Sequence, residues 1–251
     1  RLGSEFGVCD YDPCHCELHI GGDDVPALQV PVKKGNVVLT GMIDRVDLYE
    51  ADGKKYLRIV DYKSGGKQFD LSDIFYGMNM QMLIYLFTVT SSGIYDGAIP
   101  SGVLYMPSKR PIHSTSVKDF SALVKDENKA MRMNGLLVDD EVSLSAMDRE
   151  KSGRFVPYIP GDKKNSVLDG EDFARIGKLV VKMLEKAGKG IHSGCVDIAP
   201  TDDAGGKSPC KYCDYRTVCL IDDNAEHNAV EKINTEIAVE RLRGGESFGT
   251  V

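Results

Sequence analysis

The stretch from Gly41 to Tyr85 constrains the fold of this chain more than any other part of its sequence. Two strand-like runs flank Asp52-Gly53, a dipeptide that favours a two-residue hairpin turn because both of its positions tolerate positive φ. If the turn lies there, the register places Asp44 directly opposite Asp61. We therefore predict an antiparallel hairpin that brings two carboxylates together.

Both of these acids lie on apolar strand faces, and this placement makes them candidate metal ligands. Side chains directly opposite each other have Cβ atoms about 4.5–5.5 Å apart, so two carboxylates there repel. Burial also removes their hydration, which costs free energy unless another group replaces it. A divalent cation would relieve both effects, and Lys63 would add a further positive charge. The apolar residues that share a face with Asp44 or Asp61 are Met42, Val46, Leu48, Leu57 and Ile59.

A structural ion pair is the alternative interpretation of the same residues. Asp61 with Lys63, or Asp44 with Arg45, would form such a pair, but either pair accounts for only one of the two acids. A slip of one residue in the hairpin would also turn Asp44 away from Asp61. The metal site is the interpretation that we prefer, and it depends on the predicted turn.

A helix is predicted to follow the hairpin, over about residues 70–88. Gly77, Gln81 and Tyr85 recur at intervals of four and would lie on one stripe of that helix. Gln81 and Tyr85 are either ordinary boundary residues or groups that orient a scissile phosphate or the neighbouring strand end.

The remaining pattern predicts an α/β domain with flanking helices around a mixed sheet. Residues 107–165 are mixed in pattern, and residues 131–150 within them suggest a mobile hairpin or lid. The other predicted elements are an edge strand at 28–32, a core strand at 97–106 reached by a crossover, a helix at 171–186 ended by Gly188, and a terminal helix at 225–243.

Three segments of this stretch resemble the conserved blocks of the PD-(D/E)XK nuclease superfamily: GMIDRVD, IVDYKSG and QMLIY. The likeness is greatest to the RecB-type nuclease domain that ends the B subunit of AddAB helicase–nucleases, and it covers about residues 31–219. Asp44 matches the first acidic motif, Asp61 and Lys63 match the acid-x-lysine motif, and Gln81 and Tyr85 match the Q-x-x-x-Y motif. The resemblance implies a three-layer, restriction-endonuclease-like core over residues 1–221, with a C-terminal helix and tail at 222–251.

The resemblance also implies a Mg²⁺- or Mn²⁺-dependent exonuclease. Asp44 and Asp61 would be side-chain metal ligands, the backbone carbonyl of Tyr62 a further one, and Glu5 the acid that related nucleases place before their hairpin. Lys63 would lie near the attacking water, as a base or as an electrostatic stabiliser. Gln81 and Tyr85 would contact the DNA.

The implied substrate is single-stranded DNA that emerges from a helicase during recombinational repair of double-strand breaks. The implied partners are therefore a helicase domain and a partner helicase–nuclease subunit. The chain has no G-x-x-x-x-G-K-[ST] loop, so it would not be the ATP motor. Two alternatives are a standalone RecB-like exonuclease of phage or CRISPR-associated type, and a non-catalytic DNA-binding module.

Seven cysteines without a secretory signal suggest thiols or metal ligands rather than a disulfide framework. Cys210, Cys213 and Cys219 have the C-x2-C-x5-C spacing, which suits zinc or an iron–sulfur cluster. The resemblance implies three ligands of a [4Fe–4S] cluster whose fourth cysteine lies far upstream, outside a fragment that begins at Arg1. The candidate substitutes for that fourth ligand are Cys9, Cys14 and Cys16.

The composition predicts a cytoplasmic protein that binds DNA only weakly by itself. No apolar run is long enough to span a membrane, and no signal peptide is visible. The net charge of −7 disfavours a freestanding nucleic-acid binder, because phosphate contacts need Lys and Arg. Residues 31–70 nevertheless hold eight Lys and Arg against six Asp and Glu. A partner domain would supply the rest of the DNA track.

Overall fold

The computed structural model describes residues 2–65, 68–109, 120–159, 166–203, 205–221 and 227–245. Its strands, in chain order, are β1 (Asp12–Ile20), β2 (Leu28–Val32), β3 (Gly35–Leu39), β4 (Gly41–Ala51), β5 (Lys54–Lys63), β6 (Ile99–Pro107), β7 (Asn134–Val138), β8 (Val167–Leu168), β9 (Thr201–Asp202) and β10 (Asn228–Ala229). Its helices are α1 (Leu2–Phe6), α2 (Leu71–Ile74), α3 (Gln81–Ser91), α4 (Phe120–Ala130), α5 (Glu141–Met147), α6 (Gly170–Ser193), α7 (Arg216–Cys219) and α8 (Thr235–Gly244), with a 3₁₀ helix at Pro209–Tyr212.

A mixed six-stranded sheet in the order β1-β4-β5-β6-β7-β8 forms the centre of the molecule. Strand β5 pairs antiparallel with β4 and parallel with β6, so the chain between β5 and β6 is a crossover. Helices α2 and α3 lie in this crossover and pack on the sheet. The β2–β3 hairpin forms a separate two-stranded sheet and packs against α6.

The central sheet separates two hydrophobic cores, and this gives the three-layer α/β architecture that the sequence predicts. On one face, here the α3 face, the core contains residues of α2, α3, α6 and α8. On the opposite face, here the α5 face, it contains residues of α5 together with Tyr11, Met133 and Phe155. The fold class is confirmed.

The central hairpin is confirmed in position, turn and register. Asp52 and Gly53 have φ values of 51° and 72°, as a type I′ turn requires at both central positions. The pairs run from Ala51 with Lys54 to Arg45 with Val60, without a slip.

The predicted helix over residues 70–88 is wrong, because the structure divides it into α2 and α3. Asp70 caps α2 by accepting a hydrogen bond from the Ser72 backbone N–H at 2.9 Å. Gly77 and Asn79 then have positive φ values of 75° and 53°, which interrupt the helical backbone. Gly77 therefore does not share a helical stripe with Gln81.

The lid predicted for residues 131–150 is also wrong. This segment contributes β7 to the central sheet, where it pairs with β6 and β8. Helix α5 follows it and packs on the α5 face. Of residues 107–165, the structure describes 107–109 and 120–159; the others lie outside the described ranges.

Helix α6 extends seven residues beyond its predicted end at Lys186. Gly188, the predicted stop, lies inside the helix, where a Cβ would approach the side chains of Val32, Val37 and Val30 at 3.1 to 3.7 Å. The β2–β3 hairpin packs at this point, so the glycine serves close packing. The helix ends at Gly194, whose φ of 74° is typical of a C-terminal cap.

The C-terminal segment packs on the domain. Ala238 of α8 is fully buried in the core of the α3 face. The Ser72 hydroxyl donates to the backbone oxygen of Ile233 and accepts from its N–H, both at 3.1 Å. The predicted terminal helix is shorter than expected, and its residues 225 and 226 lie outside the described ranges. No helix in those ranges has the length and apolar character that crossing a membrane requires.

Candidate metal centre

Asp61 and Lys63 lie at the carboxyl end of β5, and their side chains form an ion pair. Lys63 Nζ lies 2.6 Å from Asp61 Oδ2, and the Asp61 side chain is only 8% exposed. This is the pair that the alternative interpretation named. This ion pair does not account for both acids, because Asp44 binds the backbone of Tyr62 beside it.

Asp44 reaches the same strand end from β4. Its Oδ2 accepts a hydrogen bond from the Tyr62 backbone N–H at 2.8 Å. The paired ladder ends at Arg45 with Val60, one position before Asp44 and Asp61 would face each other. One carboxylate therefore binds the backbone between Asp61 and Lys63.

The alternation of β4 is irregular at Asp44. Ile43 and Val46 both belong to the core of the α3 face, so two residues lie between them where a regular strand would place one. The two residues at this irregularity, Asp44 and Arg45, have different partners: Asp44 binds the end of β5, and Arg45 enters the α5 face.

Tyr105 completes the surroundings of the Asp61–Lys63 pair and was missed in the sequence. It is the strand partner of Asp61 on β6, and its ring centroid lies 5.7 Å from Lys63 Nζ. Burial, together with the negative charges of Asp61 and Asp73, raises the pKa of Tyr105 to about 12. The phenol is therefore neutral and presents a ring face to the ammonium group. No sequence signal could reveal this pairing, because a crossover does not specify the register of the strand that follows it.

Gln81 and Tyr85 lie together at the first turn of α3. Gln81 Nε2 donates to the Tyr85 hydroxyl at 3.0 Å. The Tyr85 ring packs against the first residue of β4, because a Cβ on Gly41 would lie 2.7 Å from its hydroxyl oxygen. The structure thus places this pair at the start of the strand that carries Asp44.

Glu5 is paired with two arginines. Its Oε1 lies 3.1 Å from Arg45 Nη2 and 3.4 Å from Arg58 Nη2. Asp47 binds both arginines as well, at 2.8 Å from Arg45 Nε and 2.9 Å from Arg58 Nε. We call Glu5, Arg45, Asp47 and Arg58 the buried charge network. Each of its side chains is at most 2% exposed.

The buried charge network lies on the opposite side of the sheet from Asp61. Its strand residues share a face with Val60 and Tyr56, which belong to the core of the α5 face, whereas Asp61 alternates with Ile59 and Leu57 of the other core. Glu5 therefore has charged partners of its own on the far face. The pairing of Asp47 with Arg58 was detectable in the sequence, because the hairpin register places them opposite each other.

The network fixes the protonation of its arginines. Burial alone would lower the pKa of Arg58, but the negative charges of Asp47 and Glu5 outweigh it and raise the pKa above the usual range of arginine. Both guanidinium groups also lie over aromatic rings, Arg58 at 4.7 Å from the Tyr11 centroid and Arg45 at 5.8 Å from that of Tyr62. The sequence alternative that paired Arg45 with Asp44 is wrong.

The centre offers a cation two carboxylates and no third acidic, histidine or cysteine side chain within the described ranges. Oxygen donors of this kind suit a hard cation such as Mg²⁺, which is commonly bound by one or two carboxylates and keeps several waters. In the same ranges Asp44 accepts its hydrogen bond at Oδ2 and none at Oδ1, so one carboxylate oxygen is available. The donor set fits a magnesium ion.

The three clustered cysteines lie away from both cores. Cys213 is exposed, and Cys210 and Cys219 are half-buried; all three are free thiols on the 3₁₀ helix and α7 segment. Cys9, by contrast, is buried, and burial raises the pKa of its thiol, which disfavours the thiolate that a metal needs. Cys14 donates to the backbone oxygen of Val46 at 3.2 Å.

Known proteins resemble this chain over most of its length. Residues 4–220 match the family model described as the PD-(D/E)XK nuclease superfamily. The chain is similar to proteins named as the B subunit of an ATP-dependent helicase/deoxyribonuclease. The Clostridium novyi protein is 35% identical over 95% of this chain, that of Bacillus licheniformis 34% over 96%, and that of Alkaliphilus metalliredigens 33% over 88%. The chain spans about a fifth of the length of these relatives, 20 to 22%.

The family match covers the hairpin, the crossover helices and the cysteine segment, and the six-stranded mixed sheet is the fold that this family is expected to have. The resemblance found in the sequence is therefore confirmed. The chain belongs to the PD-(D/E)XK nuclease superfamily, whose members are metal-dependent nucleases.

Proposed function

We propose that the chain is the nuclease domain of a helicase–nuclease and hydrolyses phosphodiester bonds of single-stranded DNA with Mg²⁺. The observation that carries this proposal is the meeting of Asp44, Asp61 and Lys63 at the end of β5. The names of the helicase/deoxyribonuclease relatives support the coupling to a helicase and to a second protein chain. The biological setting that fits these names is recombinational repair of double-strand breaks.

Asp44 and Asp61 would hold the ion, with the backbone carbonyl of Tyr62 as a further ligand. A bound Mg²⁺ lowers the pKa of a coordinated water and neutralises the phosphate charge. Asp61 is already desolvated, and the ammonium group of Lys63 lies against its carboxylate. Adding a cation beside it therefore relieves an acid-rich, partly buried site.

Lys63 would act on the water and on the negative charge that develops at phosphorus. Its Nζ is held between the Asp61 carboxylate at 2.6 Å and the ring of Tyr105. These two contacts limit the rotamers of the Lys63 side chain and keep its ammonium group at the carboxyl end of β5. Lys63 would serve there as a base or as an electrostatic stabiliser.

Gln81 and Tyr85 would orient the DNA at the entrance to β4. Gln81 is exposed, whereas Tyr85 is 9% exposed and packed on Gly41. The Gln81 amide would therefore contact the DNA directly. Tyr85 would hold that amide in position through the 3.0 Å hydrogen bond between them. Substituting Gln81 should weaken DNA binding more than metal binding.

The nuclease proposal is tested with Asp44→Ala, Asp61→Ala and Lys63→Ala. We expect each to reduce cleavage of labelled single-stranded DNA by at least about a thousandfold, because each removes a ligand or charge that acts in the transition state. Asp126→Ala is the matched control, since Asp126 is an exposed acid on α4. Isothermal titration with Mn²⁺ should show binding to the wild type and to Asp126→Ala. Cleavage by Asp61→Ala at the wild-type rate would refute the site.

We also propose that Cys210, Cys213 and Cys219 are three ligands of a [4Fe–4S] cluster in the full-length protein. Free thiols on a short, exposed segment are compatible with ligation, and a fourth cysteine from elsewhere in that protein would complete the cluster. The cluster would attach this segment to an upstream domain. Anaerobic purification of the full-length protein, with iron and sulfide assays, tests it. An iron-free protein with full activity would contradict the proposal.

A further inference from the structure

The outward side of α6 carries a row of basic residues that the proposed catalytic centre does not use. Arg175, Lys178, Lys182, Lys186 and Lys189 are separated by three or four residues, so they project from one side of the helix. From Arg175 to Lys189 these residues extend over about 21 Å at 1.5 Å per residue. All four lysines are exposed, and we call them the α6 lysine row.

The positive charge of these five residues is only partly compensated, and Lys186 has an interaction partner as well. Arg175 pairs with Glu171 at 3.2 Å and with Asp172 at 2.7 Å, so its charge is neutralised. Lys189 lies 3.8 Å from Glu185, at the limit of an ion pair. Within the described ranges Lys178 and Lys182 have no acidic partner. This concentration of positive charge stands out in a chain whose net charge is −7.

Two clefts with partly apolar walls border the lysine row. One of about 500 Å³ lies between the C-terminal end of α6 and the β2–β3 hairpin. Its lining combines Pro31 and Val32 with Lys33, Lys189, His192 and one acid, Glu185. The other, of about 200 Å³, lies towards α2 and α8; its lining includes Phe75, Leu179, Leu242, Lys178 and Lys182.

We propose that the α6 lysine row and its two clefts bind a single strand of nucleic acid. The lysines would contact the phosphates, and bases would lie against Pro31, Val32 and His192 in one cleft and against Leu179 in the other. Apolar or stacking surfaces beside a line of cations are the features by which proteins hold unpaired bases, which a duplex keeps in its interior. The presence of apolar walls beside the lysines therefore favours a single strand over a duplex.

Helix α6 lies beside α3 on the same face of the central sheet. Helix α6 packs on α3, where Gly177 contacts the ring of Phe87 and the rings of Phe87 and Phe173 lie 5.7 Å apart. Helix α3 begins at Gln81. The proposal rests on the proposed function, and it adds the path along which the DNA strand would lie outside the centre.

The test compares two triple variants of the 251-residue chain. The first is Lys178→Gln, Lys182→Gln and Lys189→Gln. The second, Lys54→Gln, Lys129→Gln and Lys232→Gln, removes the same charge from exposed lysines elsewhere in the chain. Fluorescence anisotropy in EDTA, at several salt concentrations, gives the dissociation constants. The labelled single strand has about 20 nucleotides, long enough to contact the lysine row and both clefts. Thermal unfolding shows that both variants are folded.

We expect the α6 variant to bind at least about tenfold more weakly than the wild type, and the control variant to bind as the wild type does. The slope of log Kd against log salt should fall by about 2 in the α6 variant, because each single-strand phosphate contact contributes about 0.7. Equal binding by the wild type and the α6 variant would overturn the proposal. Equal losses in both triple variants would also overturn it, since only net charge would then matter.

A competition experiment separates nucleic acid from an acidic protein partner. Polyglutamate that displaced the strand as effectively as unlabelled single-stranded DNA would overturn the assignment to nucleic acid. Cleavage assays keep this result distinct from the proposed function. A wild type that cleaves DNA while the α6 variant binds normally refutes only the lysine row, whereas lysine-dependent binding without cleavage supports the row and refutes only the nuclease activity.

Discussion

At the scale of single residues, the end of β5 shows why two neighbouring acids can have different fates. Asp61 keeps strand geometry and pairs with Lys63, while Asp44 lies at an irregularity of β4 and binds the Tyr62 N–H. Arg45, the next residue, turns into the buried charge network on the opposite face. Two consecutive residues of β4 thus have different roles: Asp44 is a candidate metal ligand, and Arg45 belongs to the buried charge network on the opposite face of the sheet.

Glu5 provides a prediction at this scale, because its expected role as a metal ligand and its place in the network have different consequences. We expect Glu5→Gln to lower the free energy of unfolding by about 3 kcal/mol, since it leaves two buried arginines with one carboxylate. The Mg²⁺ concentration that gives half-maximal cleavage should stay unchanged. Urea unfolding and a Mg²⁺ titration measure the two quantities.

Glu50→Gln is the matched control for this experiment, because Glu50 is an exposed glutamate on the same strand as Arg45. It should change neither the stability nor the Mg²⁺ requirement. The opposite pattern for Glu5→Gln, a normal stability with a raised Mg²⁺ requirement, would show that Glu5 ligates the metal and that the network does not depend on it.

At the scale of elements, the close contact between α3 and β4 decides where the Gln81–Tyr85 pair lies. The crossover from β5 to β6 brings α3 over the sheet, and Gly41 lets the Tyr85 ring approach the backbone of β4. The interruption at Gly77 and Asn79 makes this possible, because it allows α3 to start in a direction independent of α2. Spacing alone predicted the stripe but not this break.

We expect Gly41→Ala to destabilise the protein by about 1–3 kcal/mol, because the added methyl group would lie 2.7 Å from the Tyr85 ring and hydroxyl. It should also reduce cleavage by displacing the Gln81–Tyr85 pair. Combining Gly41→Ala with Tyr85→Ala should cost less than the sum of the two single changes, as residues in contact do. Chemical unfolding of the three variants measures this coupling.

Gly190→Ala is the control for the effect of adding a methyl group to a glycine. Gly190 lies inside α6, and a Cβ at this position would meet no neighbouring atom within 4 Å. Alanine should therefore stabilise the protein by about 0.5–1 kcal/mol through helix propensity.

Strictly additive effects of Gly41→Ala and Tyr85→Ala on the free energy of unfolding would disprove the contact between Gly41 and Tyr85.

At the scale of the whole molecule, both cores contain a buried tyrosine whose ionisation opposes folding. Burial raises the pKa of Tyr11 to about 12, and burial with two nearby acids raises that of Tyr105 to about 12. An unfolded tyrosine loses its proton near pH 10. Between about pH 10 and 12 the unfolded chain therefore binds fewer protons than the folded one, and stability falls as pH rises.

We expect Tyr11→Phe to make this alkaline loss of stability smaller, by up to about 2 kcal/mol between pH 9 and 11.5. The variant loses the hydrogen bond to Ser143 at every pH, so the slope of stability against pH is the informative quantity. Urea unfolding across this pH range measures the slope. Tyr215→Phe, at a residue that is 75% exposed, should keep the wild-type slope. An identical slope in Tyr11→Phe would contradict the assigned pKa.

Local signals in the chain are sufficient to predict the central hairpin, its register and the family. These depend on local signals: a dipeptide that tolerates positive φ at two positions, the alternation of apolar residues on either side of it, and three short motifs in a fixed order. The same register also contained the pairing of Asp47 with Arg58, because facing positions in a hairpin follow from the turn alone.

Which distant residues meet depends on how the folded chain packs. Tyr105 comes beside Lys63 through a parallel pairing whose register no local signal specifies, and Glu5 enters its network from a helix 40 residues before Arg45. Gly188 likewise resembles a helix stop in the sequence. In the structure it lies inside α6, where the lack of a side chain lets the β2–β3 hairpin pack closely. Long-range packing overrides local preference wherever burial contributes more free energy than the propensity of a single residue.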